Sequence, residues 1–209
     1  MKSRFSAHIS YFWWIYVLIA VVFTLFWTFV VDIALQPGDT EELKIYFFSE
    51  NTDTDAFSSE LAEVLPDITS QNIKSIRVGD VMNELYNPTA LNNLLYARAQ
   101  ECDFMIVKDE LIPDDSFAPA YFNTYDQAEI AAALGNVNFY VEEYKGALYT
   151  YGIQISGDGM KNNFTNFYGE DGKCWLMFCF KTCNMGELTG NSPNDAALQT
   201  IKWMLAEVE

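Results

Sequence analysis

Histidine is almost absent from this sequence. The single one, His8, precedes a long apolar run, so the remainder of the chain carries no imidazole. The sequence also lacks a Gly-x-Ser-x-Gly motif, a phosphate-binding loop and a CxxC pair. These absences exclude the common nucleophilic triads and the usual zinc-ligand spacings. We therefore expect a protein that is not an enzyme and that needs neither a metal ion nor a cofactor.

Basic residues are scarce as well, with 12 Lys and Arg against 29 Asp and Glu. From Asp32 onward the chain holds all 29 acidic residues and 10 of the basic ones, a formal charge of −19. Such a charge argues against nucleic acid or an anionic lipid surface as a partner. It predicts a well-solvated surface, with a cation-binding role or a basic partner as the alternative.

Charge is missing altogether from Tyr11–Val31, a run of 21 residues. At about 1.5 Å per residue, a helix of this length crosses about 30 Å, the hydrocarbon thickness of a bilayer. A buried core helix is rarely apolar on every face for so long. The run therefore predicts a transmembrane helix that contacts the lipid bilayer through residues 11–31. We expect the hydroxyls of Thr24 and Thr28 to bond to the helix backbone, which makes them tolerable in lipid.

The flanks of this run differ in charge, and the difference predicts its orientation. Lys2 and Arg4 precede the run whereas acidic residues follow it, which by the positive-inside rule places the N-terminus in the cytoplasm. A cleaved signal peptide is the alternative, but it would have a shorter apolar region and a small-x-small site, which residues 31–35 lack. We predict a single-pass protein of the cell membrane with a cytoplasmic segment 1–10, an uncleaved signal anchor 11–35, a linker 36–42 and an extracellular α/β domain 43–209.

Cysteine spacing leaves the redox state open. The four cysteines are Cys102, Cys174, Cys179 and Cys183. In an oxidising compartment, Cys174 or Cys179 would form a local disulfide with Cys183, whereas in an anaerobe or a thick-walled cell all would be buried thiols. Spacing does not determine the connectivity.

Strands and helices alternate in the first half of the outer domain. Apolar runs at 43–48, 72–81 and 103–107 predict strands. Between the first two, apolar residues recur at helical spacing after a cap at Thr52 or Asp53 and up to Pro66. Pro88 opens a second helix. The order βαβαβ, with strands this apolar, predicts an α/β domain whose mostly parallel sheet is covered by helices.

A different pattern follows residue 112. Thr124 is the predicted cap of a helix over 127–134, and runs at 138–142, 147–156 and 174–182 predict further strands. A polar, glycine-rich loop spans 156–173. Ser192 and Pro193 open a final helix with one apolar face.

Polar residues follow the first and third predicted strands. Ser49, Glu50 and Asn51 come after the first, and Asp109 and Glu110 after the third. Parallel sheets bind ligands beyond the carboxyl ends of their strands, where strand order reverses. These five residues are therefore candidate ligand contacts.

A family resemblance covers roughly residues 42–208. The stretch from Leu43 to Ile112, with its short strand Asp103-Phe104-Met105-Ile106-Val107 before an acidic residue, resembles the first lobe of extracellular solute-binding proteins of ABC importers. The segment Tyr151-Gly152-Ile153 is similar to the one where that family's chain leaves its first lobe. The resemblance implies one lobe of a type II periplasmic-binding-protein fold. It further implies a membrane-anchored, non-catalytic solute-binding module, an accessory of an ABC-type transporter.

On this interpretation the polar strand ends would accept hydrogen bonds from the hydroxyls of a sugar-like solute or from a cationic group. Tyr149, Tyr151 and Trp175 would stack against a sugar or an apolar face. In the alternative, Asp109 and Glu110 cap a helix, and Tyr149 and Trp175 belong to the core. The alternative function is a structural or assembly subunit that contacts another surface protein and no small molecule. That function predicts an exposed apolar patch near Trp175 or Tyr168.

Overall fold

A computed structural model describes residues 4–38, 40–49, 52–69, 73–83, 90–112, 117–157, 159–165, 172–180, 184–189 and 194–207. The chain divides into two compact units, Met1–Gly38 and Asp39–Glu209. This division lies within the predicted linker.

The first unit is one helix, α1 (Arg4–Leu35). Its segment Phe12–Leu35 is long and apolar enough to cross a membrane, although a signal sequence near the N-terminus would meet the same criteria. The Thr24 hydroxyl donates to the Ala20 carbonyl at 2.8 Å, and the Thr28 hydroxyl donates to the Thr24 carbonyl at 2.9 Å. Both predicted hydroxyl bonds are thus confirmed, and they remove two polar groups from the apolar surface of the helix.

The second unit is built on a six-stranded mixed sheet with the order β2-β1-β3-β6-β5-β4. The strands are β1 (Glu42–Phe48), β2 (Ser75–Asp80), β3 (Phe104–Lys108), β4 (Phe139–Tyr144), β5 (Ala147–Ser156) and β6 (Cys174–Phe178). β1 pairs in parallel with both β2 and β3, as the βαβαβ order predicts. β6 is antiparallel to β3, and β5 and β4 continue in antiparallel order. The α/β class and the parallel part of the sheet are confirmed.

Helices cover both faces of this sheet. The first face packs against α2 (Thr54–Ile68), α5 (Gln127–Leu134) and α6 (Ala196–Leu205). The second face packs against α3 (Leu91–Glu101) and the short helix α4 (Phe117–Tyr121). Because the central strands are buried on both sides, their sequences are continuous apolar runs rather than alternating ones.

Several predicted boundaries need correction. The cap of α5 is Asp126, which accepts the Ala128 N–H at 2.7 Å, and not Thr124. β2 begins at Ser75 rather than at residue 72, and β6 ends at Phe178 rather than at residue 182. Pro88, Ser192 and Pro193, the predicted helix starts, lie outside the described residues. Helix α4 was not predicted because five residues are too few to show a helical period.

β4 and β5 form a hairpin that extends past the neighbouring strand. β6 pairs with β5 only from Gly152 to Ser156, so β5 continues from Ala147 to Tyr151 without it. At the turn, Lys145 and Gly146 have φ of 53° and 81°, the positive values that a two-residue type I′ turn requires. We call residues 141–149 the hairpin arm.

Candidate functional site

The carboxyl ends of β1 and β3 lie side by side, with Phe48 beside Val107. Ser49 is fully buried there, and its hydroxyl forms a hydrogen bond with the Thr52 hydroxyl. Glu50 and Asn51 lie outside the described residues. Ser49 is the one of the three polar residues after β1 that the structure describes. Its hydroxyl bonds within the loop that connects β1 to α2.

Asp109, after β3, contacts Trp175 on the neighbouring β6. The Trp175 indole N–H donates to Asp109 Oδ1 at 2.5 Å, and the indole side chain is only 7% exposed. Lys173 Nζ lies 4.2 Å from the centre of the Trp175 ring and 3.9 Å from Asp109 Oδ1. This arrangement holds an ammonium group between a carboxylate and an aromatic face, a combination that favours cations.

Glu110 points away from this contact. Its side chain is 74% exposed and pairs with Lys108 Nζ at 2.8 Å. An exposed ion pair of this kind contributes about 0–1 kcal/mol to stability. Asp109 opens a 3-10 helix, Asp109–Leu111, but its carboxylate accepts the indole N–H rather than a bond that caps the helix.

Tyr140, on β4, extends the contact beyond Trp175. The two rings pack edge to face with centroids 5.1 Å apart. The Tyr140 hydroxyl donates to Glu142 Oε2 at 3.3 Å, and that oxygen also accepts the Ala118 N–H at 3.1 Å. Tyr140 therefore connects the Asp109–Trp175 pair to a second carboxylate.

The other oxygen of Glu142 has a different environment. Glu142 Oε1 is buried and has no hydrogen-bond partner among the described residues. A buried acceptor that loses water without gaining a donor costs about 1–3 kcal/mol, and more when it is charged. This oxygen is suited to accept a bond from a group that the chain itself does not provide.

Burial and the negative charge of Glu142 affect the pKa values of two nearby tyrosines. Burial, followed by the negative charge of Glu142, raises the pKa of Tyr140 to about 12. Burial and then Glu142 also raise the pKa of Tyr151 above its usual value. Both phenols therefore stay neutral at physiological pH, and the local potential is negative.

Tyr149 and Tyr151 lie on β5 near Glu142, with ring centroids 6.5 Å apart. Tyr151 is 2% exposed and Tyr149 is 40% exposed. Glu142 is the cross-strand partner of Tyr149. We call six residues on the second face the acidic–aromatic cluster: Asp109, Tyr140, Glu142, Tyr149, Tyr151 and Trp175.

Four of the predicted site residues, Asp109, Tyr149, Tyr151 and Trp175, thus meet in the cluster, whereas Ser49 and Glu110 make other contacts. Tyr140 and Glu142 were missed. Their signal was available, because side chains two positions apart on a strand point to the same face. The predicted strand 138–142 contained both, but the pairing of β4 with β5 could not be assigned from spacing.

One surface groove lies next to a residue of the cluster. A groove of about 610 Å³ is lined by Thr124–Ala128 and Leu148–Thr150, and so borders Tyr149. Within the described ranges, no three His, Cys, Asp or Glu side chains come close enough together to hold a metal ion.

Comparisons of the chain with models of protein families, with curated proteins and with solved structures find no match.

Proposed function

We propose that this chain is a membrane-anchored, extracytoplasmic and non-catalytic binding module for a small solute that carries a cationic group. The observation that carries the proposal is the buried Glu142 Oε1, which has no hydrogen-bond partner among the described residues. The resemblance to solute-binding proteins of ABC importers extends the proposal to an accessory role at an ABC-type transporter.

Charge and aromatic surface together select the class of solute. The cluster supplies two carboxylates and four aromatic rings, and an ammonium group gains from both. Lys173 supports this choice, because its own ammonium lies over Trp175 at 4.2 Å. The formal charge of −19 after residue 31 also attracts cations toward the domain.

The apolar N-terminal helix supports the extracytoplasmic location in this proposal. Phe12–Leu35 is apolar enough to span a bilayer, and basic residues precede it. On the positive-inside rule the domain that follows meets solutes outside the cytoplasm.

A thermal-shift screen of the full chain in detergent micelles tests the proposal. The probes are methylammonium, choline, arginine and spermidine, with glucose and glutamate as uncharged and anionic comparators at matched ionic strength. Occupancy at a hundredfold excess over Kd adds about 2.7 kcal/mol, which raises Tm by roughly 5–10 °C in a chain of this size. The proposal predicts a shift with at least one cation and none with glutamate.

A matched pair of variants locates the effect. Glu142→Gln removes the charge from the cluster, whereas Glu143→Gln removes the same charge from the next residue, which is exposed. We expect the cation-induced shift to disappear in Glu142→Gln and to persist in Glu143→Gln. Equal shifts in the two variants, or no shift with any cation, would overturn the proposal.

The second candidate is an assembly subunit that binds another surface protein through the hairpin arm. Four apolar side chains of the arm are exposed, and Leu148 is 73% exposed. They are Val141, Tyr144, Leu148 and Tyr149. Trp175, one predicted centre of such a patch, is itself only 7% exposed, and Tyr168, the other, lies outside the described residues. A partner with an apolar patch and basic surroundings would complement them.

Photocrosslinking in intact membranes separates this candidate from the first. A photoreactive phenylalanine analogue at position 148 should form an adduct with one protein, and the adduct should disappear when Val141, on the same face of the arm, is changed to Ser. The same analogue at position 96, where Tyr96 is 53% exposed on α3, is the control. Equal adducts from both positions, or none from position 148, would contradict docking through the arm.

A further inference from the structure

Cys102 and Cys179 meet in the core beneath α3. Their sulfur atoms lie 2.8 Å apart, well inside the van der Waals contact of two sulfurs, although the residues are 77 positions apart in sequence. Both side chains are fully buried. The two thiols therefore face each other directly across the second face of the sheet.

The backbone around each cysteine is held by secondary structure. Cys102 is the C-terminal cap of α3, where its N–H donates to the Arg98 carbonyl at 3.0 Å. Cys179 directly follows β6, and the next N–H, that of Phe180, donates to the Ala99 carbonyl at 3.3 Å. The first bond fixes Cys102 at the end of α3 and the second joins the end of β6 to that helix, so the contact between the sulfurs is a consequence of the fold.

Cys174 does not compete for either sulfur. Its side chain belongs to the first face, whereas Cys102 and Cys179 belong to the second. Cys183, the partner that spacing suggested, lies outside the described residues. Of the three described cysteines, only Cys102 and Cys179 are in contact.

From this contact we infer that Cys102 and Cys179 form a disulfide bond when the chain folds in an oxidising compartment. The oxidant is a disulfide, either of an oxidoreductase or of a small thiol. One cysteine thiolate attacks it and releases the first thiol, and the second cysteine thiolate then attacks the mixed disulfide and releases the second. Two S–H groups are lost from the chain, and two thiols are formed from the oxidant.

Burial determines when this reaction takes place. Burial raises the pKa of the Cys179 thiol well above its usual value, and the neighbouring Cys102 and Asp103 add to this effect. Since the thiolate is the reactive form, the folded dithiol reacts slowly. Oxidation therefore precedes the closure of the second face, and the finished bond resists external reductants.

The test is refolding of the reduced full chain into detergent micelles in a buffer of reduced and oxidised glutathione. Remaining thiols are then alkylated under denaturing conditions, and a non-reducing digest is analysed by mass spectrometry. We expect one linked pair of peptides that contains Cys102 and Cys179, with Cys174 alkylated. Alkylation of both Cys102 and Cys179, or a link from Cys179 to Cys183, would overturn the inference.

Thermal unfolding gives an independent measurement. A crosslink that closes a loop of this length should make Tm fall by roughly 10 °C when the oxidised chain is reduced. The fall should persist in Cys174→Ala. It should be absent in the double variant Cys102→Ala, Cys179→Ala, in which two small apolar side chains keep the site packed. An equal fall in the double variant would assign the stabilisation to another bond.

Discussion

The two faces of the sheet differ in chemistry. The first face is lined by aliphatic and phenylalanine side chains such as Ile45, Phe104 and Leu176. The second face includes Tyr46, Tyr151, Trp175 and Cys179. Among the buried side chains of the described residues, tyrosine and tryptophan thus belong to the second face, whereas Tyr125 and Trp203 are only partly buried against the first.

This difference assigns separate tasks to the two faces. A purely apolar face gains stability in proportion to the area that it removes from water. Polar groups on a buried face must each find a partner, and Glu142 Oε1 has none among the described residues. We therefore expect substitutions on the first face to change mainly stability, and substitutions in the cluster to change mainly binding.

The largest expected effect is on the first face. Phe104→Ala removes a fully buried ring from the centre of the sheet. We expect a loss of about 3–5 kcal/mol in the free energy of unfolding, measured with denaturant on the full chain in micelles. Tyr149→Ala, on the half-exposed part of the second face, is the comparison and should lose about 1 kcal/mol or less. Similar losses in both variants would remove the proposed difference between the faces.

The buried carboxylate of Asp103, at the amino end of β3, should make the free energy of unfolding depend on pH. The carboxylate accepts the Lys44 N–H at 3.0 Å and the Asn184 side-chain amide at 3.0 Å, and burial raises its pKa to about 6. Because the unfolded chain has the usual pKa of about 4, protonation favours the folded state. The associated stability is present below about pH 4 and is lost as the pH rises through about 6, a change on the order of 3 kcal/mol.

Asp103→Asn should therefore flatten this part of the stability profile, measured by denaturant unfolding between pH 4 and 7. Asp53→Asn, at an exposed helix cap, is the reference for the loss of one surface charge. A profile for Asp103→Asn that is parallel to that of the unchanged chain would contradict the assignment.

Gly152 tests how closely β5 must approach β6. A Cβ there would collide with the Leu176 carbonyl oxygen and would lie 2.9 Å from Met177 Sδ. We expect Gly152→Ala to cost about 1–3 kcal/mol and also to weaken cation binding, because it displaces the strand that positions Tyr151. Gly135→Ala is the control, since its Cβ would meet no atom within 4 Å, although its φ of 80° adds strain. Loss of cation binding in both variants would contradict a specific role for the close approach of β5 to β6 at Gly152.

The smallest expected effect is in the hairpin arm. Leu148→Ser changes a side chain that is 73% exposed, so Tm and the free energy of unfolding should stay within about 0.5 kcal/mol of the unchanged chain. Thermal unfolding checks this value. A loss of 2 kcal/mol or more would mean that Leu148 is packed in the isolated chain and is not free for a partner.

The sequence predicted those parts of the fold that follow from local patterns. The apolar runs of β1 and β3 and the order of elements around them were sufficient for the parallel part of the sheet. The antiparallel order β6-β5-β4 was not predicted, because strand pairing across the loop of residues 156–173 depends on contacts that are distant in sequence. The same limit applies to the site, since Tyr140 and Glu142 join Trp175 only through that pairing. The contact between Cys102 and Cys179 was missed for the same reason.

The central claim is that a cationic solute binds at the acidic–aromatic cluster, and the indole N–H resonances of the tryptophans test it most directly. Trp175 donates to Asp109 within the cluster, whereas Trp203, on α6, packs near Phe57 on the first face. Titration of the ¹⁵N-labelled full chain with methylammonium, whose N–H groups can donate to Glu142, at constant ionic strength and with Trp175→Phe for assignment, should shift Trp175 saturably and leave Trp203 unchanged. A Trp175 resonance that does not move, or equal shifts of both resonances, would contradict the account.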